Sequence, residues 1–146
     1  MSAEKLSYPP PIVQSMILAD YIHRDAITRK YFILGTYNRL GSLKFPTAQS
    51  ILHLFLAITD THGPTVLRIR VIDVDDVYGP IHESAHTIDL PDPNQVYEIT
   101  CNIGVVFPAP GEYRIQLFAG SELLRELRLG LELPRQQFPP ADAGGG

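Results

Sequence analysis

A chain of 146 residues is the size of one ordinary domain, and 45% hydrophobic with 19% charged residues excludes wholesale disorder. Sixteen acidic against twelve basic residues give a net charge of −4, and no short window holds the basic stripe that phosphate neutralisation requires, which sets nucleic acid aside as a partner. No apolar run nears the roughly twenty residues of a membrane helix, and Cys101, the single cysteine, permits no intramolecular disulfide, so a soluble protein of the reducing cytoplasm is expected.

The first seven residues, Met1 to Ser7, contain no apolar h-region, which predicts no secretory signal. Tyr8-Pro9-Pro10-Pro11 favours polyproline II; without a PxxP element it reads as a linker rather than a ligand for an aromatic groove. Residues 1–11 are therefore expected to form a flexible arm. Ile12–Tyr21 and Lys30–Tyr37 then read as strands, and His23-Arg24-Asp25-Ala26 between them fits a hairpin loop or a helical turn. Ser50–Thr59 and Thr65–Val74 follow, joined by Asp60-Thr61-His62-Gly63-Pro64. His53, between Leu52 and Leu54, takes the polar face of its strand.

Asp75-Asp76-Val77-Tyr78-Gly79-Pro80 closes that strand, and Pro91-Asp92-Pro93-Asn94 ends the next. From Val96 the alternation is regular: Tyr97, Ile99, Cys101, Ile103, Val105 and Phe107 share one face, with Glu98, Thr100 and Asn102 on the other. Beyond Pro108-Ala109-Pro110-Gly111, the residues Tyr113, Ile115, Leu117 and Ala119 repeat it, opposed by Glu112, Arg114 and Gln116. Ala119-Gly120-Ser121-Glu122 marks a hairpin. Leu123, Leu127, Leu129, Leu131 and Leu133 then oppose Glu126, Arg128 and Glu132.

Period-two alternation in so many segments predicts half-buried antiparallel strands. About eight of them, with turn signals every 8–12 residues, predict an all-β, antiparallel β-sandwich over residues 12–133, immunoglobulin-like or C2-like. Residues 134–146, rich in proline and glycine, are expected to be a flexible tail. Ile17-Leu18-Ala19-Asp20-Tyr21, Phe32-Ile33-Leu34-Gly35-Thr36-Tyr37 and the run from Pro110-Gly111-Glu112-Tyr113-Arg114-Ile115 to Leu133 resemble a family of small bacterial β-sandwich proteins of unknown function. The resemblance spans residues 12–133; it implies the fold and a bacterial origin, and no activity or site residue.

Four places offer chemistry. His82-Glu83-Ser84-Ala85-His86 matches the zincin pattern, in which two histidines one helical turn apart hold zinc and the glutamate serves as general base. Its Ile-, Thr- and Asp-rich surroundings predict a solvent-facing strand instead, and four strand residues span about 13 Å, too far for two imidazoles to share one ion. A zinc hydrolase is thus the alternative reading. Asp73, Asp75 and Asp76 crowd one strand end, with Asp60 on the preceding loop; they fit a calcium corner or ordinary turn-forming aspartates.

Gly144-Gly145-Gly146 suits the narrow channels of ubiquitin-like conjugation enzymes, or a plain tail. Phe138-Pro139-Pro140 echoes the N-terminal prolines. Val66, Phe118 and Leu124 interrupt otherwise polar faces and could form an apolar patch for a protein partner or a second copy. Cys101 sits among apolar neighbours and reads as buried and inert. With no coherent catalytic set, no cofactor and no bound metal are expected, and a non-enzymatic binding or assembly module is the leading reading.

Overall fold

The computed structural model describes residues 9–134, and among them every regular element is a strand. In chain order these are β1 (Ile12–Arg24), β2 (Tyr31–Thr36), β3 (Arg39–Gly41), β4 (Ser50–Thr59), β5 (Gly63–Asp73), β6 (Pro80–Leu90), β7 (Tyr97–Val105), β8 (Gly111–Ala119) and β9 (Glu122–Glu132). They form two sheets, ordered β2-β1-β4-β7 and β3-β9-β8-β5-β6. The five-stranded sheet curls into a half-barrel. All neighbours are antiparallel except β3 and β9. Among the described residues no helix is long and apolar enough to cross a membrane.

Alternation builds the core. Leu52, Leu54, Leu56 and Ile58 of β4 are fully buried, and they share one cluster with Leu67, Ile69 and Val71 of β5 and Ile115 and Leu117 of β8. Each such side chain contributes roughly 1.5–3 kcal/mol relative to exposure. Where the chain must reverse, it uses residues that tolerate positive φ: Asp60 and Gly63 after β4, Asp76 and Gly79 after β5.

The stretch between β1 and β2 is a closed hairpin loop. Asp25 Oδ2 accepts the N–H groups of Ile27 (3.0 Å) and Thr28 (2.6 Å), and Asp25 N–H donates to the Lys30 carbonyl at 2.8 Å. The Thr28 N–H holds the Asp25 carboxyl below the usual carboxylate range. After Phe107, Tyr113 Oη donates to the Ala109 carbonyl at 2.6 Å while its ring edge meets Phe107, with centroids 5.0 Å apart. That bond pins the turn leading into β8.

Three details depart from the sequence reading. There are nine strands in the described residues rather than about eight, because β3 has only three residues and no pattern of its own. It is held by backbone bonds to β9: Gly130 N–H donates to Asn38 O at 2.9 Å and Ser42 N–H to Glu132 O at 3.0 Å. In β9 a bulge breaks the alternation. Phe118 faces Leu123 and Leu117 faces Arg125, so Leu124 is an extra residue in the ladder. Leu123 therefore points outward at 48% exposure, and Leu124 packs against the core, the reverse of the simple alternating assignment. The third departure concerns β6 and is described with the site.

Candidate functional site

The His82–His86 string lies on β6, an edge strand, in extended conformation. Across the ladder His82 faces Val71, Ser84 faces Ile69 and His86 faces Leu67, all three partners being core residues of β5. The histidines thus share the core-side face, which corrects the expectation of a solvent-facing string. That side is left partly open at the sheet edge, so His82 is half-buried and His86 exposed.

His82 Nε2 and Ser84 Oγ share a hydrogen bond of 3.0 Å. Glu83 is on the opposite face, 3.6 Å from Arg68 and 3.8 Å from Arg70. A zincin needs glutamate and both histidines around one ion; here the sheet itself stands between them. Among the described residues no three His, Cys, Asp or Glu side chains converge on a metal-sized site.

Burial pushes the His82 pKa below the ordinary imidazole value, against the opposing pull of the Gly104 backbone and the Glu83 charge. Because the folded pKa is the lower one, the unfolded chain takes up this proton first as pH falls below about 6.5, and stability falls with it. The wild type is therefore expected to lose more melting temperature between about pH 7.5 and pH 5.5 than His82→Gln does. Equal losses in parallel thermal melts would remove His82 from the pH response.

The aspartate corner is a backbone cap. Asp73 is 7% exposed; its Oδ2 accepts Val77 N–H at 2.8 Å, its Oδ1 accepts Tyr78 N–H at 3.4 Å, and its carbonyl accepts Asp76 N–H at 3.1 Å. Asp75 and Asp76 are exposed. Asp60 does not join them. It lies at the other end of β5, roughly 35 Å away along the strand, beside His62 at 3.8 Å.

Val66 and Phe118 do share the outer face of the five-stranded sheet, where the Arg68 guanidinium lies 5.2 Å above the Phe118 ring. The third member of that patch is Leu123, directly opposite Phe118, because the bulge turns Leu124 inward. Cys101 is half-buried in a groove of about 350 Å³ between β6 and β7, beside Ile88 and Ile99, and burial pushes its thiol pKa up. Gly144, Gly145 and Gly146, with Tyr8 and the Phe138-Pro139-Pro140 segment, lie outside the described residues.

The surface that sequence reasoning missed is β2. Phe32 (51% exposed) and Leu34 (56%) stand opposite His23 and Tyr21 of β1, and the Tyr21 and His23 rings stack with centroids 6.2 Å apart. The hairpin tip adds the exposed Ile27. On the other side Tyr31 sets its ring edge against Phe55, centroids 5.2 Å apart, which anchors the hairpin to the four-stranded sheet.

Sheet edges present unpaired N–H and C=O groups, and proteins blunt them with charges, prolines or short strands. Of the four sheet edges among the described residues, β3 is three residues long, β6 carries Pro80, Glu83 and Asp89, and β7 carries Glu98. The β2 segment, Tyr-Phe-Ile-Leu-Gly-Thr, has neither charge nor proline. The available signal was its lack of alternation: four successive apolar residues read as a doubly buried strand, yet two of them face water.

These features define an all-β chain of two sheets around one core, with an unguarded apolar edge and no assembled metal site among the described residues. Residues 14–132 match the model of the family of unknown function DUF6941. The chain belongs to that family. A search of curated proteins finds no match.

Proposed function

We propose that this protein is a non-enzymatic assembly module, built on an immunoglobulin-like or C2-like sandwich, whose β2 edge pairs with the same edge of a second copy. The observation that carries this reading is the contrast among edges: β2 alone of the four lacks a charge, a proline or extreme brevity, and it exposes Phe32 and Leu34. Two β2 strands joined about a two-fold axis extend one sheet through both protomers and bury each apolar face against its partner. A strand of six residues makes a small interface, so association in the micromolar range is expected, a Kd of about 1–100 µM.

The sandwich reading draws support from the single core shared by both sheets and from the Tyr113–Ala109 bond, which resembles the tyrosine corner of immunoglobulin-like domains. The lone free Cys101 accords with a reducing cytoplasm, and the resemblance to bacterial sandwich proteins with a bacterial one.

Hydrogen–deuterium exchange tests the pairing residue by residue. About half of the β2 amides point away from β1 and have no ladder partner in a single protomer. Raising the protein from about 1 µM to a few hundred µM is expected to slow exchange in a peptide covering residues 31–36 at least fivefold, with little change in β7. Concentration-independent exchange in that peptide would count against the proposal.

A further inference from the structure

A second cavity, of about 310 Å³, is lined by residues from β1, β3, β4, the segments flanking β3 and the end of β9. Asp20, Tyr37, Ser42, Thr47, Gln49, Ser50 and His53 supply its polar side chains, and no lysine or arginine lines it. Asp20 is the one carboxylate among these residues. Ser42 Oγ–H donates to the Lys44 carbonyl at 2.8 Å, and Ser50 Oγ–H reaches the Ala48 carbonyl in a long contact of 3.4 Å. His53 Nδ1 lies 2.8 Å from Asn102 Oδ1, which accepts its hydrogen. Among the described residues neither oxygen of Asp20 accepts a hydrogen bond.

Two glycines make room for this arrangement. A Cβ at Gly35 would stand 2.6 Å from Asp20 Oδ2, and one at Gly104 would collide with Gln49 Nε2. Asp20 and Gln49 therefore reach their places only because those backbones are bare.

We infer that this cavity binds an alkyl guanidinium group, free or as an arginine side chain. A guanidinium offers a positive charge and five donors, which suits a cavity with one carboxylate, acceptor oxygens on Ser42, Gln49 and Ser50, and no lysine or arginine. Its plane matches the Asp20 carboxylate in a two-bond fork and can lie on the Tyr37 ring. The volume is at the lower end of small-molecule sites, enough for one such side chain. This inference is independent of β2 pairing.

The test is a ¹H–¹⁵N titration of the full chain with agmatine, with Nα-acetyl-arginine amide, and with butyramide as a neutral amide of similar reach. Saturable shifts at Asp20, Tyr37, Ser50 and His53 with both guanidinium probes, and none with butyramide, are expected. Asp20→Asn, nearly isosteric at an exposed carboxylate, is expected to weaken binding about tenfold, while Asp89→Asn, which changes net charge equally far away on β6, leaves it unchanged. Tighter binding of agmatine points to a free small cation, and tighter binding of the blocked arginine to a peptide side chain. Absence of saturable shifts, equal binding of butyramide, or equal effects of the two Asp→Asn changes would overturn the inference.

Discussion

Leu124→Asp is expected to destabilise the protein by about 3 kcal/mol, whereas Leu123→Asp, one residue earlier, changes stability by less than about 0.5 kcal/mol. A regular β9 predicts the opposite order, because Leu123 would then continue the inward row of Leu127, Leu129 and Leu131. The bulge opposite Leu117 and Phe118 reverses it: Leu124 packs on the core and Leu123 lies outside on Phe118. A carboxylate at Leu124 sits against the core, while at the exposed Leu123 position it meets water. Urea unfolding followed by circular dichroism measures both, with the slope confirming that the denatured states are alike. Equal losses, or a larger loss at Leu123, would place the strand in unbroken register.

The second large effect is at Asp73. Asp73→Ala is expected to lower stability by about 2–3 kcal/mol, since a buried carboxylate that accepts two backbone N–H groups is removed and both donors lose their partner. Asp75→Ala, at an exposed position of the same loop, is expected to cost less than about 0.5 kcal/mol. The pair separates a cap from a cation site. If the three aspartates formed a calcium corner, Asp75 and Asp73 would matter together and millimolar calcium would raise the wild-type melting temperature. With the Asp73 oxygens given to the Val77 and Tyr78 amides, calcium is expected to leave the melting temperature unchanged.

The alternation that made the fold legible comes from strands with one face on the core and one in water. It held for β7 and β8, where Ile103, Val105, Ile115 and Leu117 are all buried. It failed where a strand is not regular or its surroundings are not symmetric. A bulge inserts one residue without any mark in composition, so Leu123 and Leu124 exchanged places. The His82–His86 string is expected on a solvent-facing strand, but polarity does not fix direction on an edge strand whose core side is partly open. An extended strand also separates Glu83 from the histidines, since neighbours in a strand face opposite ways.

The sites differ in the same manner. The zincin and aspartate motifs were local strings, easy to see, and the backbone gave each another task. The guanidinium-sized cavity gathers Asp20, Tyr37 and His53 from three separate segments and Leu131 from the last strand, and no local pattern announces it. The β2 edge was hidden differently. Tyr31, Phe32, Ile33 and Leu34 look like buried strand, and only the sheet order puts them at a margin.

Sedimentation equilibrium of the full chain, wild type beside Phe32→Lys/Leu34→Lys, tests the central claim of assembly through β2. Both changes are at exposed positions and place like charges across a two-fold interface, the device by which natural edges avoid pairing. Between about 1 µM and a few hundred µM, the wild-type average mass is expected to rise toward twice the monomer mass, while the variant stays monomeric with an unchanged melting temperature. A wild type that remains monomeric throughout, or a variant that associates as well as the wild type, would contradict it.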